Sequence, residues 1–165
     1  MNSASHAINI WRERKEGVMA MNSYPEAMLQ AGAFELLGGE GVLGHVDTLI
    51  DMHRRLQAGL PVSAWTHLRS RLLLIASERA LIKLIGEPPK SAHRLSRTRS
   101  NRIWTFARLL ARATDVFGCA AAAEEWFVHP AIALERRCPI DLLSTPVGVQ
   151  TVDDHLTRMD FGVYA

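Results

Sequence analysis

The sequence predicts an all-α protein, and three observations carry the prediction. Apolar residues recur at spacings of three and four through successive stretches, as on a helix with one buried face. No stretch shows the period-two alternation of a half-buried strand. Glycine and proline fall between the periodic stretches, where they stop and restart helices.

A helix is expected from Pro25, with Leu29, Ala33, Leu36 and Leu37 on one stripe and Gly38-Gly39 as its stop. Gly38 to Gly44 reads as a flexible joint, and residues 1–22 as a mobile terminus. Val46, Leu49, Ile50, His53 and Leu56 predict a helix over 45–58, ended by Gly59. After Pro61 the next helix spans about 63–73, burying Ala64, Trp65, Leu68 and Leu72. Ser77 suits the N-cap of a helix reaching Ile85, where Gly86 stops it. A short helix is expected from Pro89 to Leu95. Ser100 or Asn101 then caps the longest helix, to about Val116, with Ile103, Phe106, Ala107, Leu110, Ala113 and Phe117 inward and Arg102, Arg108 and Arg112 on its wet side. A helix over 119–128, one turn over 139–143, a start at Pro146 and a capping-box opening at Thr151 to Asp154 complete the chain.

At 165 residues, 48% hydrophobic and 22% charged, this is one domain or one domain with a small appendage. The net charge of +2 hides an asymmetry. Residues 79–112 carry nine Lys/Arg against one acid, and residues 113–165 carry three against eight. A basic middle beside an acidic tail predicts two faces with different partners. Cys119 and Cys138 lack metal-ligand spacing and read as two small buried hydrophobes in a reducing, cytoplasmic compartment. No apolar run is long enough to span a bilayer, so a soluble protein without a membrane partner is expected.

The residues offer no catalytic kit. The seven histidines make no His-x-x-x-His pair and repeat no ligand offset, so neither metal nor cofactor is expected. Gly38-Gly39-Glu40-Gly41 lacks the lysine and strand of a phosphate loop. The chain is expected to be no enzyme. Helix, Gly86 turn and short helix do have the shape of a helix-turn-helix, and Lys90, Ser91, His93, Arg94 and Arg97 beyond the turn suit phosphates and base edges. Operator DNA is then an expected partner, read by a homodimer or a higher assembly. In the tail, Trp126, Leu134, Pro139, Leu142, Leu143, Gly148, Val152 and Leu156 read as the core of a docking module. The aromatics beyond it, Phe161 and Tyr164, read as anchors for another protein.

From about Gly44 to Ala165 the chain resembles antitoxins of the Xre/MbcA/ParS type, ParS-like partners of RES-domain toxins. The resemblance is strongest in Ser100-x-Arg102-Ile103, Ala107-Arg108, Val116-Phe117-Gly118, Trp126, Pro139-x-x-Leu142-Leu143, Gly148, Val152, Leu156 and Gly162-Val163. It implies a helix-turn-helix (Xre-like) region followed by a small all-helical toxin-binding domain. It also implies a type II antitoxin that blocks the active site of an NAD-using toxin, NAD-degrading or ADP-ribosyltransferase, and represses its own operon. On this reading residues 1–43 are an N-terminal extension, 44–112 the DNA-binding and dimerisation region and 113–165 the toxin-binding domain. Arg158 and Asp160 are the polar part of a plug, Phe161 and Tyr164 its anchors and Ala165 its end. The chain departs from the family pattern at Glu135-Arg136, where glycine is usual, which predicts a different path for that loop. It departs again at Glu87-Pro88-Pro89 and in lacking a basic insert between Arg94 and Leu95. The rival reading is a stand-alone helix-turn-helix regulator, distinguished by whether a RES-like reading frame lies next door.

Overall fold

The computed structural model describes residues 26–74, 79–86 and 92–162. The expectations for the 1–22 terminus, the Ser77 cap, the helix start at Pro89 with Lys90 and Ser91, and for Tyr164 and Ala165 lie outside those residues. Among the described residues the chain is helical, with two isolated bridge pairs and no strand. In order it forms α1 (Glu26–Leu36), α2 (Gly39–Leu43), α3 (Leu49–Ala58), α4 (Val62–Arg71), α5 (Arg79–Ile85), α6 (Arg97–Phe117) and α7 (Ala120–Val128). A 3-10 turn (Ile132–Leu134), α8 (Pro139–Leu142) and α9 (Pro146–Asp160) follow.

Several boundaries differ from expectation, each for a local reason. The expected joint after Gly38 is instead a helical turn, α2, because Leu43 is buried and packing repays the ordering of the chain. α3 begins at Leu49 rather than His45, because Thr48 and Asp51 form a reciprocal capping box, Asp51 N–H to Thr48 Oγ1 at 3.1 Å and Thr48 N–H to Asp51 Oδ2 at 3.2 Å. α6 is capped by Ser96, whose hydroxyl accepts from Arg99 N–H at 3.3 Å. Ser100, expected as that cap, lies inside the helix and fully buried. Its hydroxyl accepts from Leu60 N–H at 2.8 Å and donates to Ser96 O at 3.0 Å. At the end of the chain the expected break at Thr151 to Asp154 is absent. α9 is one helix of 15 residues, with Pro146 in its first turn and Thr145 Oγ1 accepting from Gly148 N–H at 3.1 Å.

The largest difference concerns residues 92–95. They are not helical. Arg94 pairs with Pro61 in an antiparallel bridge, Leu95 N–H donates to Leu60 O at 2.7 Å and Val62 N–H to His93 O at 3.1 Å. Leu95 is buried and anchors the segment, and this short ladder satisfies backbone groups that a helix would otherwise have paired. The approach is close enough that a Cβ on Gly59, whose φ is 85°, would collide with the Leu95 carbonyl oxygen.

α6 is the element on which the others pack. Its 21 residues span roughly 31 Å at about 1.5 Å per residue. α1, α3, α5, α7 and α9 all contact it. Because it is covered on more than one side, Leu109 is as buried as Ile103, Phe106 and Ala113, although a single-stripe reading omits it. Phe106 meets Phe127 of α7 edge-on with centroids 5.5 Å apart. The 112/113 boundary read from the sequence falls inside this continuous helix, and one hydrophobic cluster runs from Ala33 to Leu156. No helix of the described residues is long and apolar enough to cross a membrane.

Candidate docking site

The module formed by α7, the 3-10 turn, α8 and α9 is built on small buried contacts. Leu134, Pro139, Leu143, Gly148, Val152 and Leu156 are buried, whereas Trp126 and Leu142 are partly covered and packed against the same cluster. A Cβ on Gly148 would run into the Leu142 carbonyl oxygen, so the first turn of α9 lies directly on the end of α8. Trp126 is surrounded by rings: Phe127 at 5.1 Å, Phe117 at 5.6 Å and the His155 imidazole at 6.0 Å, the last nearly parallel at 22°. His155 Nδ1 has no hydrogen-bond partner among the described residues. Burial, and secondarily the Arg158 charge, push the pKa of this imidazole down.

Two polar links tie the module to the rest of the chain, and neither was legible in the sequence. Arg112 of α6, expected on the wet side, is instead turned inward. Its guanidinium donates to Asp153 Oδ1 and to Thr157 Oγ1, both at 2.7 Å and both on α9. Its Nε has no partner among the described residues. Glu124 of α7 is 1% exposed, and its carboxylate accepts from Leu73 N–H at 2.8 and 3.0 Å and from Leu74 N–H at 2.6 Å. It thereby satisfies the backbone just beyond α4, some fifty residues earlier in the chain. Both links depend on pairs far apart in sequence, which no local periodicity reveals.

The turn between α7 and α8 is tightly closed. Ala131 N–H donates to Arg137 O at 3.1 Å, and Ala131 O accepts from Leu134 N–H at 3.0 Å and from Arg136 N–H at 2.9 Å. Glu135 and Arg136, the residues that stand where glycine was expected, have φ of 55° and 60°. These left-handed conformations cost a residue with a Cβ roughly 1–2 kcal/mol each. Glycine adopts such a backbone freely, so at this turn the Cβ atoms of Glu135 and Arg136 carry the strain. Ile132, at the start of the turn, is 87% exposed.

The sequence-predicted site residues fall into three groups. Arg158 is exposed, Asp160 is partly buried, and Phe161, in the turn that ends α9, is 63% exposed. His93 and Arg97 are exposed. Arg94 is already engaged: its Nη2 donates to Gly59 O at 2.6 Å and its Nε to Ala58 O at 3.4 Å, closing the carboxyl end of α3. Arg102 does the same for α5 through Leu84 O at 3.0 Å. The cysteines are both free. Cys119 is exposed, contrary to the buried position expected for it. Cys138 is partly buried, donates to Val128 O at 3.2 Å, and has its thiol pushed up by burial and by Asp141. No group of three or more His, Cys, Asp or Glu side chains among the described residues could hold a metal ion.

Comparison with curated proteins yields no match. Residues 112–162 match the family described as the antitoxin Xre/MbcA/ParS C-terminal toxin-binding domain. The match begins at the Arg112 link, takes in the aromatic cluster, the strained turn and all of α9, and ends beside Phe161. Residues 112–162 thus form a C-terminal toxin-binding domain of the Xre/MbcA/ParS antitoxin family.

Proposed function

We propose that this antitoxin neutralises a RES-domain toxin that uses NAD, by occluding the cleft in which the toxin holds its substrate. The observation that carries this reading is the end of α9. The inner face of that helix is fixed by fully buried Val152 and Leu156, yet Phe161 at its exit remains 63% exposed next to an exposed Arg158. A dinucleotide cleft is concave and carries a few polar groups. A rigid helix end bearing one aromatic and one cation fills such a cleft at little entropic cost, since the helix is already ordered. In this reading Phe161 and Tyr164 anchor, Arg158 and Asp160 meet polar groups of the cleft, and Ala165 ends the plug. The antitoxin works as an inhibitor without a cofactor, in the cytoplasm with its toxin.

The same protein, as a homodimer or within the toxin complex, represses its own operon through His93 and Arg97 together with Lys90 and Ser91. The exposed side chains of His93 and Arg97 support that assignment. The supporting feature for residues 44–112 as the DNA-binding region is their basic surplus beside the acidic 113–165 domain.

The test is co-expression with the RES-like reading frame beside the gene, followed by NAD consumption by the purified complex. The wild-type complex should be inactive. Deleting 161–165 should restore NAD consumption while circular dichroism stays helical, and Phe161→Ala alone should weaken inhibition about tenfold or more, as for an aromatic hot spot. Full neutralisation by the truncated protein would sink the occlusion mechanism.

A further inference from the structure

We propose that the Ala131–Arg137 turn is a second contact with the toxin, an anchor separate from the plug. It offers an apolar knob, Ile132, followed on the same turn by Arg136 and Arg137. This rests on the toxin-binding reading above and adds to it where the affinity comes from.

Three observations converge on the turn. Ile132 and Val147, 87% and 78% exposed, are the two most exposed large hydrophobic side chains among the described residues. They belong to elements that touch each other, the 3-10 turn and α9. A bare isoleucine on a turn that is cross-linked by its own backbone and held in a left-handed conformation at two consecutive residues is presented rigidly. Rigid presentation lowers the entropy lost on docking. Strain of this kind persists at sites where the presented geometry is used.

Charge completes the case and identifies the occupant. Residues 113–165 are acidic, eight Asp/Glu against three arginines. Two of those arginines, Arg136 and Arg137, are exposed on this turn, and the third, Arg158, is exposed at the plug. An otherwise acidic domain therefore places all its cations at two points. The complementary surface is a protein with an apolar depression rimmed by carboxylates, separate from its substrate cleft. The turn lies wholly inside the segment matched to the toxin-binding domain, so the partner that covers it is the toxin.

The two contacts divide the labour and can be told apart. With full-length antitoxin and the RES toxin, binding is measured by calorimetry and inhibition by NAD consumption at saturating antitoxin. Ile132→Asp should weaken binding at least tenfold, and Arg136→Glu with Arg137→Glu by a similar factor that shrinks as salt is raised. At saturation both variants should still inhibit completely, because the plug is intact. Phe161→Ala differs from both in leaving measurable activity even in the saturated complex. Circular dichroism checks folding, and both reversed side chains are exposed. Binding within twofold of wild type for both variants overturns the anchor while leaving the plug standing. A wild-type protein that neither binds nor inhibits the toxin overturns the underlying reading and the anchor together.

Discussion

Glu135 and Arg136 occupy a backbone conformation in which a Cβ is a liability, with φ of 55° and 60°. Leu134 is buried on one side of them and the Ala131–Arg137 pairing closes the other, so neither residue relaxes. Replacing either with glycine removes the steric penalty and returns some entropy to the unfolded chain, two effects of opposite sign. The penalty is the larger, so Glu135→Gly and Arg136→Gly should each stabilise the fold by about 1 kcal/mol, read as a higher midpoint in chemical denaturation. A lower midpoint for both would show that the strain is compensated by contacts of the replaced side chains. The sequence marked this pair as unusual but could not state its geometry, which depends on how α7 and α8 are brought together. Glu124 was less legible still. A glutamate in an alanine-rich helix looks like a solvated residue until the Leu73 and Leu74 amides are placed against it.

At the scale of elements, α9 is held to α6 by the Arg112 link and to α8 by the absence of a side chain at Gly148. The Arg112–Asp153 pair is mostly shielded, with the side chains 11% and 22% exposed, so loss of one partner leaves a poorly solvated charge. Arg112→Ala should destabilise the protein by roughly 3 kcal/mol, and Arg112→Met combined with Asp153→Leu should recover most of that loss. The double-mutant cycle in urea measures the coupling, and additive single effects would show that the pair does not act as a unit. Periodicity identified the apolar face of α9 correctly, since Val152 and Leu156 are fully buried. It failed at α9's start, where Thr145 outcompetes Thr151 as the cap because Pro146 already sets helical φ and Gly148 N–H is within reach.

For the whole molecule, the cations of the basic middle segment fall into two groups. Arg94, Arg102 and Arg112 are bonded to carbonyl and carboxylate oxygens of other elements. His93 and Arg97 are exposed. A DNA titration tests the proposed operator surface by separating the two groups. Arg97→Ala should lower the slope of log affinity against log salt by about one phosphate's worth of counterion release. Arg94→Ala should leave that slope unchanged and instead lower thermal stability, because it uncaps α3. An unchanged slope for Arg97→Ala in a protein that binds its operator would remove Arg97 from the DNA surface.

The sequence by itself determined the helical class, most of the faces that enter the core and the toxin-binding family of the C-terminal third. These follow from spacing and residue type, which act over three or four positions and survive any arrangement of the helices. The exception is α3, since Leu49, Ile50 and His53 of its expected stripe are exposed and Met52 is buried with Leu56. Only the tertiary structure decided that residues 92–95 extend along 60–62 instead of forming a helix. It alone turned Arg112 and Glu124 inward, and it left Ile132, Val147 and Phe161 bare. Those outcomes rest on partners some thirty to fifty residues away and on which surface remains once α6 is covered, and a linear pattern holds no record of either.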